Sequence, residues 1–429
     1  MITSRAFRGK RYAVLGLARS GRAAVASLLA SGARVMAWDK SEAAREAAAH
    51  EAELADPLTA DLAGYDGVVV SPGVPLNRHP IAAKAREAGV PLIGDMELFA
   101  QARGDLPPHK VVGITGTNGK STTTALVHHI LAAAGVPATM AGNIGAPILA
   151  QQPLPEGGVY VLELSSYQLD LTHSLDCDVA VLLNVTPDHL DRYAGFAGYV
   201  ASKRRLLEMQ REGAAVIAVD DPETRQIARM LEEKGRPPAI VSAADVDVAA
   251  QARWPALQGP HNAQNAAAAA AATRRLGVGG GAIERGLRTY RALPHRMELI
   301  AEKHGVRFVN DSKATNPDST APALAAFPHV HWIVGGLAKS DDLGPCAAQL
   351  GHVRAAYTVG EAGPMFARLL EGKVPVRQSE LLVTAVRDAA DAAGPGEVVL
   401  LSPACASFDQ FRDYEARGDA FRAAVEALA

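Results

Sequence analysis

Short apolar runs and alanine-rich stretches of helical composition alternate along almost the whole chain. Residues 12–15, 34–38 and 67–70 read as strands, with a helix running to about residue 30 between the first two. The pattern resumes at 159–162, 179–183 and 216–219, and again at 307–309, 331–334, 355–359 and 398–401. Helices are expected over about 262–276 and 282–290, with a glycine-rich break at 277–281. Strands alternating with helices predict an α/β fold with parallel sheets. The segment 101–109, with one Gly and two Pro, reads as a linker. The turn Leu293-Pro294-His295-Arg296 reads as a second boundary. The expected domains are therefore 1–100, 108–292 and 294–429, and a length of 429 residues suggests about three.

Composition narrows the partners. The formal net charge is −3, so no global attraction to nucleic acid or to an anionic membrane is expected. Any anionic ligand must be held by local groups. Hydrophobic residues make up 48% and charged residues 21%, as in a soluble globular protein. Cys177, Cys346 and Cys405 are far apart and form no CxxC, which suits reduced thiols in a cytoplasmic protein. No charge-free run of 18 apolar residues is present, so no membrane insertion is expected. No heptad or extended apolar stripe stands out, so a monomer is expected.

The densest chemical signal is Gly113-Ile114-Thr115-Gly116-Thr117-Asn118-Gly119-Lys120-Ser121-Thr122. It follows the apolar pair Val111-Val112 and precedes an alanine-rich stretch. Strand, glycine-rich turn and helix in that order make a phosphate cradle. Backbone N–H groups close around phosphate oxygens, a lysine reaches the terminal phosphates, and a hydroxyl can ligate Mg²⁺. The generic G-x-x-x-x-G-K-[ST] pattern would need Gly at position 114, where Ile stands. A second glycine turn, Gly16-Leu17-Ala18-Arg19-Ser20-Gly21, is followed by Asp39 at the end of the next strand. It outlines a nucleotide-binding βαβ unit. Ala18 replaces the middle glycine of the dinucleotide pattern. A Rossmann-like unit for a ligand other than NAD therefore fits at least as well as a dehydrogenase.

Further motifs follow. Gly142-Asn143-Ile144-Gly145 comes first. Glu163-Leu164-Ser165-Ser166-Tyr167-Gln168 and Asn184-Val185-Thr186-Pro187-Asp188-His189-Leu190-Asp191 stand at strand ends, where ligands sit in open α/β sheets. A Glu, a His and a Ser hydroxyl suit Mg²⁺. Lys203, within Ala201-Ser202-Lys203-Arg204-Arg205, reads as part of a basic solvated helix face. Gly259-Pro260-His261-Asn262-Ala263-Gln264-Asn265 opens a helix, and its amides can cap that helix or read an adenine edge. Later strand ends carry Asn310-Asp311-Ser312-Lys313-Ala314-Thr315, Gly335-Gly336-Leu337-Ala338-Lys339 and Ser402-Pro403-Ala404-Cys405-Ala406-Ser407-Phe408-Asp409-Gln410-Phe411. Their lysines and hydroxyls can bind a dicarboxylate.

In this order the motifs resemble those of the Mur ligase superfamily, amide-forming enzymes of cell-wall and folate metabolism. The likeness covers nearly the whole chain. It implies a Rossmann-like first domain, a central P-loop ATPase-type sheet and a Rossmann-like last domain. It further implies a ligase that adds D-glutamate to UDP-N-acetylmuramoyl-L-alanine through an acyl phosphate. The D-N-P-R motif of members that add diaminopimelate or lysine is absent. By resemblance Arg19, Ser20, Asp39, Lys40, Gly73, Asn143, Ser165, Gln168 and His189 hold the UDP substrate. Gly116, Thr117, Asn118, Gly119, Lys120, Ser121 and Thr122 bind ATP phosphates, and Asn262, Asn265, Arg296, Asp311 and Lys313 complete the ATP set. Ser121, Glu163, His189 and a carbamylated Lys203 serve two Mg²⁺ ions, and Lys120, Glu163, His189 and Lys203 are the catalytic group. Thr315, Lys339, Ser407 and Tyr414 hold D-glutamate, with Tyr414 standing where the family often has Phe. Rival readings are another member of the superfamily, a nucleotide sensor without turnover, and a nicotinamide oxidoreductase.

Overall fold

The computed structural model describes residues 1–428. Three sheets carry the fold. The first comprises β1 (Arg11–Leu15), β2 (Arg34–Trp38), β3 (Glu53–Leu54), β4 (Gly67–Val70) and β5 (Leu92–Ile93), in the order β3-β2-β1-β4-β5. The second comprises β6 (His109–Thr115), β7 (Ala138–Gly142), β8 (Gly158–Glu163), β9 (Val179–Leu182), β10 (Ala214–Ala218) and β11 (Ala239–Val241). Its order is β11-β10-β9-β6-β8-β7. The third comprises β12 (Glu298–Lys303), β13 (Val306–Asn310), β14 (Val330–Gly335), β15 (Val353–Val359), β16 (Val376–Glu380) and β17 (Val398–Leu401). Its order is β12-β13-β17-β14-β15-β16. The chain packs as two compact units. One holds Met1–Ser242 with Asn265–Gly286, and the other holds Ala243–Gln264 with the chain from Leu287 onward.

The first two sheets are parallel throughout. Strands β4, β8 and β9 are buried along their whole length. That burial is why they read as continuous apolar runs and not as alternating ones. The third sheet departs from the all-parallel expectation at one edge, where β12 runs antiparallel to β13. Only His304 and Gly305 join them, with φ of 52° and 76°. Two residues in left-handed conformation make a tight hairpin, and so short a link cannot return a strand in parallel.

The strands expected from the apolar runs are all present. Six others are present that the runs did not signal: β3, β5, β7, β11, β12 and β16. All six are edge strands, the two outermost of each sheet. The segment 101–109 is not an open linker. It closes the helix Asp95–Ala102, forms a 3₁₀ turn at Arg103–Asp105, and enters β6 at His109. The helix Gly280–Thr289 begins inside the glycine-rich stretch, whose last residues fill its first turn.

Strand β6 lies between β8 and β9 and delivers the phosphate loop. Gly113 sits in it because a Cβ there would stand 2.8 Å from Cys177 Sγ and 2.9 Å from Leu206 Cδ1. Gly113→Ala is therefore expected to cost roughly 1–3 kcal/mol through overpacking. Urea denaturation of the two proteins measures it. An unchanged midpoint would mean that the strand has room the structure does not show.

Candidate active site

In the first unit the loop after β6 turns directly into the helix Lys120–Ala133. Neighbouring strand ends hold it in shape. Thr117 N–H donates to Asn184 O at 2.9 Å, and Asn118 N–H donates to Asn184 Oδ1 at 2.8 Å. Asn184 returns a bond from Nδ2 to Asn118 O at 3.1 Å. Thr117 Oγ1 lies 3.2 Å from Tyr199 Oη and accepts from Thr186 N–H at 3.0 Å. Thr123 Oγ1 donates to Asn265 Oδ1 at 3.2 Å, which ties the loop's helix to the helix Pro260–Arg275. Asn184 and Tyr199 thus shape the loop, although motif spacing named neither as a site residue.

Lys120 Nζ donates to Gly116 O at 2.8 Å and to Thr117 O at 2.7 Å. Lys203 Nζ donates to the same Gly116 O at 2.7 Å, from beneath the loop. Lys203 is 1% exposed and lies 4.5 Å from the centre of the Tyr199 ring. It is not on a solvated face. In the helix Gly195–Glu208 the residues Tyr199, Ser202, Lys203, Leu206 and Leu207 are all buried. That spacing, read at helical period, is the signal that would have placed Lys203 inside. Burial, and then the nearby Lys120, hold its amine well below the usual ammonium range, while Asp188, Asp170 and Glu163 act in the other direction.

Glu163 ends β8 and is 1% exposed. Its Oε1 accepts from Asn143 Nδ2 at 2.9 Å. Its Oε2 is buried with no hydrogen-bond partner among the described residues. A buried carboxylate oxygen without a donor suits a cation. Among the described residues no group of three or more His, Cys, Asp or Glu gathers as a metal site. A cation at Glu163 would take further oxygen ligands, such as water, a backbone carbonyl or a side-chain hydroxyl. Ser121, buried in the first turn of its helix, is such a hydroxyl. His189 has φ of 54°, and its ring centre lies 5.1 Å from that of Tyr167.

The expected UDP-substrate residues divide. Arg19 Nη2 donates to Gly145 O at 2.8 Å and so joins the first glycine turn to the GNIG motif. Ser20 is half-buried, and Lys40 and Gly73 are exposed. The Asp39 carboxylate is taken up locally, accepting from Leu17 N–H at 2.7 Å and Ser41 N–H at 2.8 Å. Ser165 and Gln168 form a capping box on the helix Ser166–Asp170.

In the second unit Asp311 follows β13. It accepts from Ser402 Oγ at 2.8 Å and from Met297 N–H at 3.2 Å. Lys313 Nζ lies 4.0 Å from the centre of the Tyr414 ring. Ser407 is buried, Thr315 half-buried and Lys339 exposed. Arg296 lies between His295 and Met297, both of positive φ. Asn262 is buried, and its Nδ2 donates to Gln258 O at 3.1 Å, so it is a helix residue and not the cap.

These loops, hung on parallel strand ends, are those of an α/β enzyme with a P-loop-like turn, and the comparisons give the class as a ligase. Residues 114–254 match the Mur ligase middle domain, and residues 295–405 match the Mur ligase, glutamate ligase domain. The chain belongs to the Mur ligase family. A protein of Novosphingobium aromaticivorans, named UDP-N-acetylmuramoylalanine--D-glutamate ligase, is 64% identical over all of this chain and 97% of its own. One of the same name from Sphingopyxis alaskensis is 64% identical over the full length of both. The fold is also that of a MurF ligase from Thermotoga maritima solved with ADP, with a TM-score of 0.61 at 18% identity. That match covers 98% of this chain and 96% of the other.

Asp311 gives a pH prediction. Burial pushes its carboxyl from the ordinary 3.8 up to about 7, with the Ser402 hydroxyl, Met297 N–H, Arg296 and Arg417 acting against burial. The folded chain thus binds this proton more tightly than the unfolded one. Its contribution to stability is full below about pH 4 and is lost as pH rises towards about 7. Asp311→Asn should remove that slope, flattening stability by roughly 2–4 kcal/mol across the window. Denaturant titrations at stepped pH measure this, and parallel curves for both proteins would refute it.

Proposed function

We propose that this chain is an ATP-dependent amide ligase that adds D-glutamate to UDP-N-acetylmuramoyl-L-alanine in peptidoglycan precursor synthesis. Full-length identity of 64% to ligases of that name carries the reading. We assign the UDP substrate to residues 1–100, ATP to 108–292 and the amino acid to 294–429. A monomer working in the cytoplasm, where ATP is supplied, fits this assignment. Among the described residues no helix is long and apolar enough to cross a membrane.

Amide formation from a carboxylate in water is uphill, so the carboxylate must first become an electrophile. ATP transfers its γ-phosphoryl group to the terminal carboxylate of the UDP substrate, leaving ADP and an acyl phosphate. The amine of D-glutamate then attacks the acyl carbon, and phosphate departs. The charge spread over the transferring group needs fixed cations and aligned N–H donors. Lys120, at the phosphate loop, is the cation assigned to it. Mg²⁺, when bound, would neutralise further charge, and Ser121, Glu163 and His189 are the residues assigned to hold it. The unpartnered Glu163 Oε2 supports that assignment.

Lys203 is assigned as a carbamylated lysine. A neutral amine can attack CO₂, forming an N–C bond and losing a proton. The product is an anion where a cation stood. Burial of Lys203 beside Lys120 favours the neutral amine that this chemistry needs. The attacking amine of D-glutamate must also lose a proton. His189 suits that step by residue type, but a ring nitrogen held by Mg²⁺ cannot accept it, so the two roles compete and no base is assigned.

The test is phosphate release from ATP with Mg²⁺, UDP-N-acetylmuramoyl-L-alanine and a panel of D-glutamate, L-glutamate, L-lysine and meso-diaminopimelate. Release is expected with D-glutamate alone, and release with another amino acid would overturn the acceptor residues. Lys203→Ala should lower kcat by about 100-fold or more. It should also abolish a carbamate NMR signal raised by isotopically labelled bicarbonate. Near-normal turnover in that variant would remove Lys203 from the machinery.

A further inference from the structure

The second unit holds a buried arginine that the proposed reaction does not use. Arg417, in the helix Tyr414–Glu426, is 2% exposed. Its Nε donates to Ser312 Oγ at 3.0 Å, and its Nη2 donates to Ser312 O at 2.8 Å and to Cys405 O at 3.0 Å. Its Nη1 donates to Ala406 O at 3.2 Å. None of these acceptors is a carboxylate, and among the described residues no carboxylate lies within ion-pair distance of the guanidinium. Burial lowers its pKa to about 10, which still leaves it charged at neutral pH. A buried cation resting on neutral oxygens is costly where packing alone is needed, and an apolar side chain would fill the space more cheaply.

The acceptors show what the charge is attached to. Ser312 lies in the loop after β13, between Asp311 and Lys313 and three residues before Thr315. Cys405 and Ala406 lie in the loop after β17, directly before Ser407. Ala406 also pairs with Leu337 in both directions, at 2.9 and 3.0 Å, which brings in the loop after β14 that carries Lys339. Ser312 Oγ donates in turn to Tyr414 O at 2.9 Å, on Arg417's own helix. One guanidinium therefore touches or adjoins every loop that carries an assigned amino-acid residue. A planar fork with five donors can span three backbone oxygens and a hydroxyl, whereas the point charge of a lysine cannot.

We infer that Arg417 is a positioning residue for the amino-acid pocket. Its guanidinium fixes the loops bearing Thr315, Lys339 and Ser407 in register with the helix start at Tyr414, and it supplies a permanent positive charge behind them that favours a dicarboxylate acceptor. The inference rests on the D-glutamate reading above.

The experiment is steady-state phosphate release by the full chain, with each of the three substrates varied in turn. Arg417→Lys should raise the KM for D-glutamate by about tenfold or more, and leave the KM values for ATP and the UDP substrate within about twofold. A residue that served the fold alone would move all three constants together, or kcat alone, and either pattern overturns the inference. So does a D-glutamate KM within about twofold of wild type. Should Arg417→Lys fail to fold, Ser312→Ala removes one acceptor and decides the same question. A rise of about threefold or more in the D-glutamate KM alone supports the inference, and no change overturns it. If the wild-type chain itself releases no phosphate with D-glutamate, the acceptor reading falls and this inference with it. If wild type turns over and the variants keep its KM, only the inference falls.

Discussion

Parallel strand pairing is the constraint from which the rest follows. A parallel strand cannot be reached by a tight turn, so each must be followed by a crossover, usually a helix. All crossovers then leave from the same end of the sheet, and the loops that begin them crowd there. In the first unit β6, β8 and β9 are adjacent. Their ends release the phosphate loop, the Glu163 motif and the His189 motif side by side. In the second unit β13, β17 and β14 are adjacent in the same way, and their ends release the Asp311, Ser402 and Gly336 loops. Chemistry that is scattered over the sequence is gathered by sheet order.

Within the first cluster, one carbonyl sets the electrostatics. Gly116 O accepts from both Lys120 and Lys203. Two ammonium groups on one oxygen repel each other, and the buried one also lacks water. Burial, and then the nearby Lys120, lower the proton affinity of the Lys203 amine. The two lysines are chemically alike in the sequence. Their environments separate them: Lys120 opens the helix after the loop, and Lys203 is buried within the helix Gly195–Glu208.

This separation marks what the sequence could and could not reveal. The phosphate loop, the strand-end motifs and eleven of the seventeen strands were legible because each is local. Apolar runs bounded by glycine mark a buried strand whatever it packs on. Strands such as β3 and β5, two residues each, carry too little pattern to read, and their pairing partner decides them. Strand β12, Glu298–Lys303, is charged at both ends and fully buried nowhere because it is a sheet edge, and its direction was set by a two-residue turn that lacks the usual Asn-Gly. Lys203 was misread because Arg204 and Arg205 follow it and look like a solvated stripe. Arg205 in fact spends its charge on the carbonyls of Leu169 and Thr172. Asp39 and the Ser165–Gln168 pair are hydrogen-bonded within their own turns, which motif spacing alone does not indicate.

Lys203 and Arg417 put the same physical question to two parts of the chain. Each is a basic side chain almost without exposure, and each donates to backbone carbonyls. Burial penalises the charged form of both. The outcomes differ because the groups differ. An amine can shed its proton, so burial favours the neutral form of Lys203. A guanidinium holds its proton at any pH the protein meets, so burial makes Arg417 a fixed charge that must be surrounded by oxygens. The two residue types are therefore not interchangeable. Lysine at 417 would lose the planar fork, and arginine at 203 could not give up its proton.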